Sequence, residues 1–213
     1  MWQVINSGHG SACKNMDIDR FLFKNFNHSD VPILHFYEWE RPSATYGYFI
    51  NYSTDLIDCA RSPTGGGIVF HINDLSFSVL IPKKHRLFIR DTMKNYSFLH
   101  ANVLQAIQSC SKNDLHLMKN NVEEIKKLQN FCFAKPVQND IMLLNKKIAG
   151  GAIRKNSNGF LYQGSIAIAQ YDFDAIGKLV DLDTVEAMKL NGGFVDVERK
   201  DLIISLQETF QNL

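Results

Sequence analysis

Arg61-Ser62-Pro63-Thr64-Gly65-Gly66-Gly67-Ile68-Val69-Phe70-His71 sets three consecutive glycines directly before a run of branched and aromatic side chains. The run from Ile68 to His71 reads as a strand. Glycines entering a strand leave peptide N–H groups bare, so a ligand's chain or its phosphates can approach the backbone, and Arg61 can neutralise an anion there. An isolated Gly-Gly-Gly also suits a flexible turn, and the surrounding sequence has to decide between the two.

Working outward, residues 75–81 form a second apolar run. The step Asn73-Asp74 tolerates left-handed backbone angles, so the spacing predicts an antiparallel pair with 68–71. Upstream, Ile33 to Trp39 and residues 44–49 read as strands separated by a turn at Pro42-Ser43. Residues 15–26 place Met16, Asp19, Leu22, Phe23 and Phe26 on one helical face. Residues 91–110 do the same with Tyr96, Leu99, Val103, Ile107 and Cys110. Downstream, 141–144, a turn at Asn145-Lys146, 147–153 and 159–169 predict further hairpin strands, and the tail from 172 to 213 reads as mainly helical. Hairpins with helices between them imply an α+β fold, a mixed or antiparallel β-sheet flanked by helices.

The chain has 213 residues, 45% of them hydrophobic, which predicts one domain spanning 1–213. With 23 basic and 22 acidic residues the net charge is +1, so no global field draws the chain to nucleic acid or membrane, and neither is expected as a partner. The N-terminus carries no basic segment followed by an apolar core, and no segment reaches the roughly 18 consecutive apolar residues of a membrane span; a cytoplasmic protein is expected. Cys13, Cys59, Cys110 and Cys132 are scattered and predict reduced thiols, with neither a disulfide framework nor a zinc or redox-metal site. His9, between two glycines, reads as a solvated loop histidine.

Arg61, Thr64, Gly65, Gly66, Gly67, Val69, Phe70 and His71 resemble the glycine motif of the lipoate branch of the biotin/lipoate protein ligase superfamily. Asn15-Met16, Phe36-Tyr37-Glu38-Trp39, Pro42 and Gly47-Tyr48-Phe49 are similar to that branch's opening, so the resemblance covers about residues 10–170. It implies a fold of the class II aminoacyl-tRNA synthetase/biotin-lipoate ligase type. In Asn145-Lys146-Lys147-Ile148-Ala149-Gly150-Gly151-Ala152, Lys147 stands at the family's acyl-binding or catalytic lysine, beside Gly150 and Gly151. An ammonium there can polarise a carbonyl or hold a leaving group. The implied activity attaches a lipoyl or octanoyl group to a lysine of a lipoyl carrier domain, in a 2-oxoacid dehydrogenase or a glycine cleavage H protein. The core ends about forty residues before the chain does, so no accessory C-terminal domain is expected.

Two features point to different branches. Asn139-Asp140 is similar to the step that ligases place near ATP and magnesium, which implies an acyl-adenylate made from lipoate or octanoate. Cys132-Phe133 resembles the Cys-Phe pair of one group of octanoyltransferases, which implies an ATP-independent route. There Cys132 takes the acyl chain from acyl carrier protein as a thioester and Lys147 moves the proton. Ser62 stands where the ligase motif has a second arginine and Ile72 where it has an aspartate, and a non-catalytic binder of lipoate or of a lipoyl domain is the third reading. A biotin ligase or a DNA-binding relative is disfavoured, because no arginine-glycine-rich biotin loop or helix-turn-helix is present.

Overall fold

The computed structural model describes residues 1–25, 31–120 and 130–213. Its elements alternate strands and helices: β1 (Gln3–Gly10), α1 (Ala12–Lys24), β2 (Ile33–Trp39), β3 (Ser43–Tyr46), β4 (Asp58–Arg61), β5 (Ile68–His71) and β6 (Asp74–Pro82). They are followed by α2 (Thr92–Cys110), β7 (Leu115–Leu117), β8 (Ile141–Leu143), β9 (Lys146–Lys155), β10 (Gly159–Ala167), α3 (Phe173–Ile176), α4 (Leu182–Asn191) and α5 (Arg199–Gln211). Seven strands form a large sheet in the order β1-β2-β6-β10-β9-β8-β7, and three form a small one, β4-β3-β5. The β1–β2 and β3–β4 pairs are parallel, and the other pairs of these strands are antiparallel. This is the mixed α+β architecture that the sequence predicts.

The alternation of side chains along the central strands decides where the core and the site fall. On one face, Leu34 and Phe36 of β2, Phe77, Val79 and Ile81 of β6, and Phe160, Tyr162 and Ile166 of β10 pack on Leu99, Val103 and Ile107 of α2 and on Leu202, Leu206 and Phe210 of α5. The opposite face carries His35, Tyr37, Ser76, Ser78, Gln163 and Ser165, all but Gln163 buried. α1 covers part of that face with Met16 and Phe23. Its N-cap Ser11 accepts from the Lys14 N–H, and α2 begins on Asp91, which accepts from Met93 and Lys94.

Several predicted features are corrected. The runs 68–71 and 75–81 do not pair with each other: β5 belongs to the small sheet and β6 to the large one. Asp74 is not a turn residue but the first residue of β6, buried with its carboxylate accepting from Ser76 and Ser165 and facing His71. The run 44–49 stops at Tyr46, because Gly47 and Tyr48 leave the strand to bond the glycine motif through Gly47 N–H to Gly67 O and Tyr48 N–H to Thr64 O. His9 lies in β1, not in a loop, 3.6 Å from Glu38. The predicted helix 15–26 starts earlier, at Ala12, and Phe26 lies outside the described residues. Among the described residues no helix is long and apolar enough to cross a membrane.

Candidate active site

A cavity opens between the two sheets. Thr45, Ser62, Thr64, the three glycines 65–67, Val69 and His71 line it from the small sheet and its loop; Gly150, Gly151, Ala152, Gln163 and Ser165 line it from the large sheet; Cys132 and Phe133 close one side. The glycine motif shapes it by close approach. Gly66 has φ +88°, a left-handed angle that favours glycine, and a Cβ on Gly67 would lie 2.6 Å from Asn130 O and 3.1 Å from Cys132 N. That contact lets residues 130–132 run alongside β5, with Cys132 N–H donating to Ile68 O at 3.0 Å and Ile68 N–H donating to Asn130 O.

Lys147 enters from the other sheet. The register of β8 on β9 shifts by one residue between Ile141 and Met142, a bulge that re-aims the side chains around Lys147. The ammonium is 1% exposed and lies 2.8 Å from Asp140 Oδ2, 3.1 Å from Cys132 O and 3.1 Å from Cys132 Sγ. Gly150 makes the room: a Cβ there would stand 2.6 Å from Lys147 Nζ and 3.0 Å from Asp140 Oδ1. Burial works against the charge, but the Asp140 carboxylate, with Cys132, outweighs it and holds the lysine above its ordinary pKa.

Asp140 is fixed from three sides. Oδ2 also accepts from Val137 N–H at 2.8 Å, and Oδ1 accepts from Tyr96 OH at 3.1 Å. Behind it, Asn139 holds a left-handed φ of 69° and gives its carbonyl to His100 Nδ1 at 2.7 Å, while Tyr162 OH reaches His100 Nε2 at 3.0 Å. Burial, opposed by Asp140, lowers the His100 pKa to about 4, so the ring is neutral with Nδ1 as donor and Nε2 as acceptor. Burial next to Asp140 raises the phenols of Tyr96 and Tyr162. The magnesium expected at Asn139-Asp140 does not suit this donor set. A hard divalent cation takes several oxygen ligands and keeps waters, whereas this carboxylate is wholly buried against an ammonium.

The other predicted residues take separate places. Thr64 and Ser62 both donate to Gln163 Oε1, at 2.7 and 2.6 Å; Gln163 Nε2 donates to Asp19 Oδ2 at 2.7 Å, and Asp19 pairs with His35 at 2.9 Å. His71 stands between Thr45 Oγ1 at 2.8 Å and Asp74 Oδ2 at 2.9 Å, stacked on Trp39. Burial disfavours the Asp74 charge, but His71 and the neighbouring hydroxyls prevail and its pKa is lowered. Arg61 does not line the cavity: its guanidinium donates to the carbonyls of Tyr48 and Ile50 and lies over the Tyr46 ring, bracing the loop that follows β3. Asp19, His35, His100 and Gln163 escaped the sequence reading. For Asp19 a signal existed, a carboxylate on the apolar face of a predicted helix.

A cysteine thiol in contact with a buried ammonium, at the mouth of a cavity lined by glycine backbone, is equipment for acyl transfer. The chain belongs to the lipoyl protein ligase A/B catalytic domain family, whose model matches residues 11–189. Among similar proteins, octanoyltransferase LipM of Clostridioides difficile (strain 630) is 25% identical, over 98% of this chain and 87% of its own. LipM of Bacillus subtilis (strain 168) is 26% identical, over 85% and 69%. A crystal structure of lipoate-protein ligase A bound with ATP shares the fold with TM-score 0.78 and 23% identity, over 99% of this chain and 84% of that one. The bipartite lipoate protein ligase of Thermoplasma acidophilum, described with its E2 lipoyl domain, gives TM-score 0.76 at 20% identity, over 100% and 83%. The protein is therefore an enzyme of lipoyl or octanoyl transfer.

Proposed function

We propose that the chain is an octanoyltransferase that works through a thioester on Cys132 and passes the acyl group to a lysine of a lipoyl carrier domain. The observation that carries this reading is the 3.1 Å contact between Cys132 Sγ and Lys147 Nζ at the cavity. A thiol beside an ammonium is poised to attack a carbonyl, and the charge that builds on sulfur or oxygen is met by a fixed cation. In the first half-reaction the bond from Cys132 sulfur to the acyl carbon forms. The donor's thioester bond breaks, its sulfur leaves with the electron pair, and the proton from Cys132 ends on the donor thiol. Acyl carrier protein is the donor that fits this chemistry. In the second half-reaction the acceptor amine forms the amide, the bond to Cys132 breaks, and an amine proton returns to its sulfur. Held as an ammonium, Lys147 stabilises both thiolates rather than acting as a resting base.

Ser62 supports the same reading. Where the ligase motif carries a second arginine, this chain has a buried hydroxyl bonded to Gln163 and Thr64, so the cavity floor at that position offers no cation to a phosphate. The relatives named octanoyltransferase LipM point the same way. The acceptor class is supported by the likeness to a ligase described with its lipoyl domain.

The test is to incubate the purified protein with octanoyl-acyl carrier protein and apo lipoyl domain, without nucleotide, and to weigh both proteins. The expected result is an octanoyl adduct on Cys132 and octanoylation of the domain, both absent from Cys132→Ser. Modification of the domain only with free lipoate, ATP and magnesium, undiminished in Cys132→Ser, would instead establish the adenylate-forming ligase. No modification under either condition would leave the non-catalytic binder.

A further inference from the structure

The geometry points to Asp140 as a positioning residue that serves the second half-reaction, by keeping an ammonium at the acyl-enzyme when Cys132 can no longer act as its counter-ion. The inference rests on the thioester reading above. Lys147 is in contact with two groups able to carry negative charge, Cys132 and Asp140. Among the described residues, the other titratable groups that interact with the pair are Tyr96, His100, Tyr162 and Tyr171, all neutral at physiological pH. Before acylation the ammonium touches the Cys132 sulfur as well as the Asp140 carboxylate. Once the sulfur carries an acyl group it can bear no charge, and among the described residues Asp140 is the carboxylate left against the buried ammonium.

That moment is when the charge is needed. As the acceptor amine adds and the carbon–sulfur bond breaks, the electron pair returns to Cys132 as a thiolate 3.1 Å from Lys147 Nζ. A neutral lysine there would leave the departing thiolate without its cation, in a site where burial strengthens electrostatics. The hydrogen bonds from Val137 N–H and Tyr96 OH to Asp140, and the space left by Gly150, position the carboxylate for this task. The Asn139-Asp140 step thus acts as an anchor for lysine, which explains why its donor set does not suit magnesium.

Asp140→Asn keeps the shape and removes the charge. The two halves are to be followed separately, as acyl-enzyme formation from octanoyl-acyl carrier protein and as single-turnover transfer from isolated acyl-enzyme to apo lipoyl domain. Transfer is expected to fall on the order of 10²-fold at pH 8 while acylation changes less than about 10-fold, so that acyl-enzyme accumulates. Relative to the native enzyme, transfer is expected to recover as the pH is lowered and the lysine takes up its proton, which a merely structural defect would not produce. Equal loss in both halves, or no loss, overturns the inference. Should the Asn variant not fold, Tyr96→Phe removes one hydrogen bond from the carboxylate and is expected to give a smaller split in the same direction; an unsplit result overturns the inference equally. If the native protein forms no acyl-enzyme at all, the thioester reading itself fails, an outcome distinct from an unsplit variant of an active enzyme.

Discussion

Cys132 and Lys147 meet at 3.1 Å although they arrive from different parts of the fold, the cysteine on the segment that runs along β5 of the small sheet and the lysine from the bulged start of β9 in the large one. The contact therefore depends on how the two sheets close on each other. Its chemistry depends on Asp140, which takes the other side of the ammonium.

Lys147→Ala removes the cation and strands a buried carboxylate. Octanoyl transfer is expected to fall by a factor on the order of 10²–10³, the range for loss of one fixed group that stabilises developing charge. Stability is expected to fall by about 3–5 kcal/mol, as when one partner of a buried pair is deleted. Urea unfolding measures the second effect, and Lys147→Ala combined with Asp140→Leu should regain part of it. A single variant as stable as the native chain would contradict the buried pair.

Gly150→Ala tests the space around the pair. Its methyl would fall 2.6 Å from both Lys147 Nζ and Cε, so the lysine side chain must swing away from Cys132. Because the obstacle is the end of a flexible side chain, the overall fold should persist while transfer drops in step with the Lys147→Ala loss. Far-ultraviolet circular dichroism and the transfer assay together decide it; an active Ala variant would argue against the placement of the ammonium.

His100 makes the molecule sensitive to acid. Its ordinary pKa of 6.5 is lowered to about 4 in the folded state, so below 6.5 the unfolded chain binds a proton that the folded chain refuses. The stabilisation is complete above pH 6.5 and is lost as the pH falls through 4, on the order of 3 kcal/mol in all. Asp74, whose pKa is also lowered, adds to the loss at still lower pH. Melting temperatures taken between pH 7 and 4 should show the slope. In His100→Gln the stability at pH 7 should be lower and the slope between 6.5 and 4 much flatter; an unchanged slope would assign the effect to another group.

Ser62→Arg restores the cation that the ligase motif carries, yet it is not expected to confer ATP-dependent activity. Ser62 is buried and its hydroxyl bonds Gln163 and Thr64, so an arginine must break that network and displace the glycine loop. Octanoyl transfer should fall, and stability should drop by about 1–3 kcal/mol from overpacking. Appearance of lipoate adenylation in the variant, followed by pyrophosphate release, would overturn this account of the cavity floor.

The strands flanked by strong local chemistry were legible from the sequence. β2 matches its predicted bounds because a branched and aromatic run sits between Pro32 and a polar turn. The β8–β9 hairpin was legible as two apolar runs about a tight turn, but the turn falls one residue earlier than expected: Leu144, with φ 54°, and Asn145 make it, and Lys146 already belongs to β9. The glycine motif and Lys147 stood out through resemblance; the motif lines the cavity, and Lys147 is buried against Cys132 and beside Gly150, which line it too.

What stayed hidden depends on long-range pairing. β1 is a parallel edge strand of mixed polarity whose register against β2 shifts between Asn6 and His9, so it carries no clean alternation. At Asn73-Asp74 the local turn chemistry suits a hairpin, but the chain crosses from one sheet to the other, and only the tertiary partners of Asp74 reveal it. His100 looks like any polar residue of a long helix until Asn139, in a left-handed turn 39 residues downstream, presents its carbonyl.

Because Cys132 and Lys147 are brought together from separate parts of the fold, their contact exists only once both parts have assembled. A nascent or partly folded chain carries an ordinary thiol and an ordinary amine, each with its own counter-ions from water. On the thioester reading, acylation of Cys132 is therefore expected to appear only with complete refolding.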